Sequence, residues 1–239
     1  GDFSVAMGCK TKALFGCATA IGQLTLADNA RALATGYLTQ ATGPTSTAMG
    51  FGSIASGNFT TAIGIGPTAS GYGSIAMGQN TKACGCNSTA IGVLSEAIGD
   101  CSIAMGVFTK ACGTYATTMG FVTEATGGSS TAIGQATKAS GPQSTAMGIC
   151  TIASGFYSTA MGTGSIASNS GSTAMGCGTQ ASGLTSTAIG QTTIASGATS
   201  IAMGKDTIAS GISTTAMGQG TQAFGNCSTA IGFNTLASG

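Results

Sequence analysis

Polar and apolar positions recur along this chain in a fixed seven-residue frame. Counted from Ser4, each half-repeat opens on Ser or Thr, has Ala third and Gly fifth, and closes on two variable residues. Two kinds of half alternate. An A half reads STA(M/I)Gxx, as from Ser130 to Gly134, and a B half reads TxASGxx, as from Thr137 to Gly141. The resulting 14-residue unit runs without insertion or deletion to Gly239, making 34 halves in 17 coils. Exceptions are few: Thr118 at position 3, Phe15, Asn29 and Asn169 at position 5, and Ala18, Ala32, Pro67 and Ala116 at position 1. A strict period of this length is the mark of a solenoid, in which each coil stacks on its neighbours.

Alternation inside a half predicts about five residues of strand and a two-residue turn, with positions 1, 3 and 5 on one face. Position 2 of the B half carries Lys12, Lys82, Glu96, Lys110, Glu124 and Lys138. Unpaired charges are not buried, so positions 2 and 4 point outward and Ser/Thr, Ala and Gly fill the interior. The fold class is therefore all-β, a parallel β-roll or solenoid of about 17 coils with two short strands per coil. At about 4.8 Å per coil it makes a rod about 80 Å long. Glycine at position 5 suits a sharp turn or a positive φ, and Asn29 and Asn169 are its natural substitutes because Asn tolerates the left-handed region. The inward hydroxyls are expected to bond to turn backbone in their own or adjacent coils. Residues 1–239 read as one repeat domain, with degenerate coils over 1–45, where Phe15, Asp28, Arg31 and Thr35 intrude, and regular coils over 46–239.

Position 4 of the A half is the most informative rank. It reads Met7, Ile21, Thr35, Met49, Ile63, Met77, Ile91, Met105, Met119, Ile133, Met147, Met161, Met175, Ile189, Met203, Met217 and Ile231. All 10 methionines lie in it. One reading makes these core residues, which forces the Lys-bearing face inward or demands an asymmetric roll. The other makes them an outward stripe too long to leave in water, and hence a subunit interface. On the B face, position 2 gives a run of alternating charge from Lys82 to Lys138, followed by Ile152, Ile166, Ile194, Ile208 and Leu236 interspersed with Gln180 and Gln222. The charges read as a solvated ladder of weak pairs; the isoleucines are either a second binding face or simple strand-forming residues.

Composition changes this picture mainly by exclusion. The chain has 41 Gly, no His and 5% charged residues. Without histidine neither a Cys–His dyad nor a Ser–His–Asp triad can form, and Asp2, Asp28, Glu96, Asp100, Glu124 and Asp206 are scattered. No catalytic residue, metal site or cofactor is expected, and the chain is not read as an enzyme. Its net charge of +1 gives no case for nucleic acid. No apolar run approaches the roughly 18 residues of a membrane span, so this segment does not insert in a membrane. Among the cysteines, Cys84 and Cys112 sit about 9.6 Å apart, beyond disulfide reach, while Cys86 and Cys101 on adjacent coils form the one pair that can bridge. Asn58, Asn87 and Asn226 open N-x-(S/T) sequons, candidate glycosylation sites in a chain secreted by a eukaryote. The aromatics fall in the turns: Tyr37, Phe51, Phe108, Phe121 and Phe233 after A halves, Phe59, Tyr72, Tyr115, Phe156 and Tyr157 after B halves.

The SxAxGxx pattern at a 14-residue period, as in Ser4-Val-Ala-Met-Gly8 and Ser200-Ile-Ala-Met-Gly204, resembles the YadA-type head repeats of trimeric autotransporter adhesins. The resemblance covers essentially the whole chain. It implies a left-handed roll, three of which pack side by side into a homotrimeric head displayed extracellularly at the cell surface, where it binds surface or matrix ligands. The nine cysteines are unusual in a bacterial surface adhesin. A second function is kept open by the Thr residues at outward position 2, such as Thr145, Thr159 and Thr173, whose regular rank suits an ice-binding β-solenoid. Gly1 and Gly239 fall on the same position of the repeat, from which end-to-end stacking into a filament is expected.

Overall fold

The computed structural model describes residues 2–238, so Gly1 and Gly239, on which the stacking expectation rests, lie outside the described residues. Every element among them is a short β-strand. The chain is an all-β parallel solenoid of about 17 coils with a repeat of about 14 residues. It divides into two compact units, Gly1–Phe121 and Val122–Gly239.

In the first unit, five-residue A strands run from Val5–Cys9 to Thr117–Phe121, alternating with two-residue B strands from Lys12–Ala13 to Lys110–Ala111. Each pairs in parallel with its equivalent 14 residues away, so Met77 lies between Ile63 and Ile91, and Lys82 lies opposite Glu96. In the second unit, B strands from Glu124–Ala125 to Leu236–Ala237 alternate with A strands from Thr131–Gln135 to Thr229–Phe233. The register is the same, Met147 lying opposite Met161 and Ile152 opposite Ile166.

The interior is made of small residues. Position-3 alanines such as Ala90 and Ala146 are fully buried, as are position-1 residues such as Ser88 and Thr151, and no fully buried side chain among the described residues is larger than Thr. Without bulk to bury, each coil is held chiefly by the backbone ladder, whose donors and acceptors are satisfied coil to coil.

Strand length departs from the expected five residues per half. A strands do have five, at positions 2–6, but B strands have two, at positions 2 and 3. In most coils the strand ends at a shared acceptor: the N–H groups of Cys84 and Gly85 both donate to the Ala97 carbonyl, at 2.9 and 3.4 Å, while Ile166–Ala167 and Ile208–Ala209 end equally early with the N–H of Ser168 or Ser210 as sole donor to that position. A regular ladder cannot run through such a convergence, and the chain bends there. The turn closes with Ser102 N–H donating to Gly99 O at 3.3 Å, and Cys101 takes a φ of 55°. Because A strands extend to position 6, Tyr37, Phe51, Phe121 and Phe233 end strands instead of lying in turns; Phe108 is a turn residue as expected.

Position 5 also needs correction. In A halves Gly takes φ between 107° and 136°. In B halves it has no positive φ, so Asn29 and Asn169 are not left-handed substitutes. They act through their side chains: Asn169 Nδ2 donates to Ser182 O at 3.0 Å in the next coil, and its Oδ1 accepts from Ser170 N–H at 2.8 Å. Asn29 repeats the arrangement with Thr42 O and Ala30 N–H.

The hydroxyls meet the expectation only in part. In A halves Ser158 Oγ donates to Gly155 O at 2.7 Å and Ser200 Oγ to Gly197 O at 2.7 Å, whereas the hydroxyls of Ser88, Ser102 and Ser144 have no partner among the described residues. In B halves Ser95 Oγ reaches Gly106 O at 2.9 Å, yet the hydroxyls of Thr39, Thr81, Thr151 and Thr193 have no partner among the described residues. The extra methyl of Thr fixes its rotamer in the narrow interior, which leaves Oγ1 away from the glycine carbonyl that Ser reaches.

Candidate functional site: the outward faces of the coils

The candidate site is a pair of faces generated by the repeat. On the A strands, positions 2, 4 and 6 point away from the alanine interior. None of Met7, Ile21, Met49, Ile63, Met77, Ile91, Met105, Met119, Ile133, Met147, Met161, Met175, Ile189, Met203, Met217 and Ile231 is buried; each is half-buried or exposed, Met119 being 40% exposed. The core reading of this rank therefore fails. Register aligns it within each unit, Met147, Met161, Met175 and Ile189 following one another on successive rungs.

Thr35 interrupts the rank in the first unit. Beside it on the same strand stands Tyr37, whose ring stacks on Phe51 of the next rung with centroids 5.2 Å apart and planes 23° apart. Ile65 continues this second apolar column, opposite Phe51. Sequence reasoning assigned Tyr37 and Phe51 to turns and so missed the column. The signal was present, since both occupy position 6, which alternation places on the same face as position 4.

On the B face the charge ladder forms two ion pairs, Lys82 Nζ to Glu96 Oε1 at 3.1 Å and Lys138 Nζ to Glu124 Oε2 at 3.2 Å. All four side chains are well solvated, so each pair contributes about 0–1 kcal/mol. Ile152, Ile166, Ile194, Ile208 and Leu236 are half-buried or exposed, with Ile152 next to Ile166 and Ile194 next to Ile208 on adjacent rungs.

Asn58, Asn87 and Asn226 are exposed on B-side turns. The sequon hydroxyl of Thr60 is buried and donates to Gly57 O at 2.7 Å, and Asn226 Oδ1 accepts from Ile212 N–H at 2.9 Å. Cys86 and Cys101 are both free and exposed, so the pair expected to bridge remains as two thiols, although Cys101 N–H donates to Cys86 O at 2.7 Å. No cluster of three or more His, Cys, Asp or Glu side chains suited to a metal occurs among the described residues. No helix is long and apolar enough to cross a membrane.

Outward ranks repeated at every rung of a parallel coil, over an interior of Ala, Ser and Thr, define a β-solenoid whose candidate site is a pair of extended faces. The family model described as YadA head domain repeat (2 copies) matches residues 41–66, 69–95, 85–109, 125–148, 153–176, 181–207 and 209–235. The chain belongs to the YadA head-repeat family, a family of adhesin head domains. No curated protein matches the chain as a relative.

Proposed function

We propose that this chain is one subunit of a homotrimeric adhesive head, displayed extracellularly at the cell surface, in which the position-4 stripe of each roll packs against its neighbours. One observation carries the reading: the unbroken rank from Ile133 to Ile231 puts an apolar side chain on every rung of the second unit, with none buried in its own coil. Full burial of each is worth about 1.5–3 kcal/mol, far more than the weakly charged B face can supply. Contiguous apolar surface of this kind marks an interaction site in soluble proteins. Family membership supports side-by-side packing of three rolls and an adhesive role. In such an assembly the B face stays outermost, and its Ile152, Ile166, Ile194 and Ile208 are the surface offered to a matrix or cell-surface ligand.

Light scattering tests the packing. Changing Met147, Met161 and Met175 together to Lys is expected to convert the native oligomer to monomers or aggregates. Retention of the native oligomer by the triple variant would overturn the assignment and transfer the interface to the B-face isoleucines.

The ice-binding alternative draws on the second unit, where Thr131, Thr145, Thr159, Thr173 and Thr187 occupy consecutive rungs. Bulky Met and Ile stand two positions along on the same face, which breaks the flat hydroxyl array that would order water. Thermal hysteresis in the soluble protein would favour this second reading over the first.

A further inference from the structure

The coil corner between the A and B strands carries two grooves in the first unit, and they differ in charge. One, of about 270 Å³, is lined by Leu94, Glu96, Phe108, Thr109 and Lys110. The other, of about 390 Å³, lies in the degenerate coils and is lined by Lys10, Lys12, Leu14, Leu24, Thr25, Leu26, Asp28 and Gln40. Its volume is within the range of small-molecule sites.

The larger groove has a built polarity. Lys10 and Lys12 flank Thr11 on one coil, and Leu24 and Leu26 occupy the equivalent positions on the next, Leu26 pairing in register with Lys12 and then with Gln40. Thus two lysines and Leu14 stand on the first coil of the groove, and Leu24 and Leu26 continue it on the next. Neither lysine forms an ion pair among the described residues, although Asp28 lines the same groove; both are exposed. In the smaller groove one lysine, Lys110, stands against one carboxylate, Glu96, whereas in the larger groove two lysines stand against Asp28 alone.

We propose that the groove bounded by Lys10, Lys12, Leu14, Leu24 and Leu26 binds a small amphipathic anion, a free alkyl carboxylate of medium chain length. The carboxylate lies between the two ammonium groups, which act as donors to its oxygens. The alkyl chain runs along the stacking direction over Leu24 and Leu26 and shields apolar surface that is otherwise wet. Gln40, one coil beyond Leu26, closes the far end, and Asp28 lies beside the leucines on their own coil. This site is independent of the subunit packing proposed above, because it uses the corner and not the position-4 rank.

Isothermal titration calorimetry of the full chain with monomeric decanoate tests it. One saturable site per chain is expected, weakening as salt is raised. Lys10→Ala combined with Lys12→Thr should weaken binding about tenfold or more. Other coils carry Ala136 and Thr68 at these positions, so the variant keeps the fold, which an unchanged melting temperature verifies. Leu26→Thr should weaken binding as well, and Lys110→Ala should leave it unaltered. Equal binding of decyltrimethylammonium, or unchanged binding by the double lysine variant, would overturn the proposal. So would lysine-dependent binding to phosphatidylglycerol vesicles without any binding of decanoate, which would make the groove a contact for anionic membrane surfaces.

Discussion

Glycine at position 5 of the A half is the residue that lets successive A strands stack closely. At Gly148, φ is 122° and an added Cβ would collide with the backbone carbonyl of Gly162 in the next coil. Backbone conformation and space both exclude a side chain there, and every A half in the chain indeed has Gly. The B-half glycine has only the steric constraint, and Phe15, Asn29 and Asn169 replace it. Gly148→Ala is therefore expected to destabilise by about 3 kcal/mol or more. Gly141→Asn, which copies the Asn169 arrangement, should cost clearly less; thermal or denaturant melts of the two variants give the comparison. This asymmetry was legible in the sequence as a difference in exceptions, but its cause was not, because φ and the distance to the next coil are properties of the stacked backbone. The unpartnered B-half threonine hydroxyls were illegible for the same reason: Ser and Thr look interchangeable at position 1 until the interior width fixes the rotamer.

Strands show the same limit at the next scale. Parallel pairing, the 14-residue register and the inward positions 1 and 3 follow from alternation and charge placement alone. The two-residue B strand does not, since it depends on how the backbone N–H groups that follow it bond to the next coil. Proline marks where the ladder has no donor. Pro44 and Pro142 occupy position 6 of B halves and Pro67 position 1. Position-6 N–H groups make no backbone hydrogen bond in the turn; that of Cys86 instead donates to Asp100 Oδ1 at 2.8 Å. Leu184 lies at this position, so Leu184→Pro is expected to leave the melting temperature nearly unchanged or raise it slightly, by restricting the unfolded chain. Ile189→Pro, inside the A strand Thr187–Gln191, removes ladder geometry between two paired neighbours and should collapse the local coils. Equal effects of the two substitutions on melting would contradict the assigned strand bounds.

For the molecule as a whole, family membership and fold were readable from one repeated unit, whereas assembly is a matter of which surface cannot stay wet. The sequence marked the Met/Ile rank because all 10 methionines share it. It did not show the Tyr37–Phe51 column, which stands beside Thr35, the one polar residue in that rank. The most direct test reads the methionines in the unmodified protein. Peroxide converts exposed Met to the sulfoxide at a rate set by access, and peptide mass spectrometry follows each site. In an isolated chain Met77 and Met119 are 38% and 40% exposed and should oxidise readily. Packing through the stripe predicts that Met105, Met147, Met161, Met175 and Met203 resist oxidation in the native oligomer and react once it is dissociated. Oxidation of all these methionines at the rate of a free methionine, in material that light scattering shows to be oligomeric, would contradict the account.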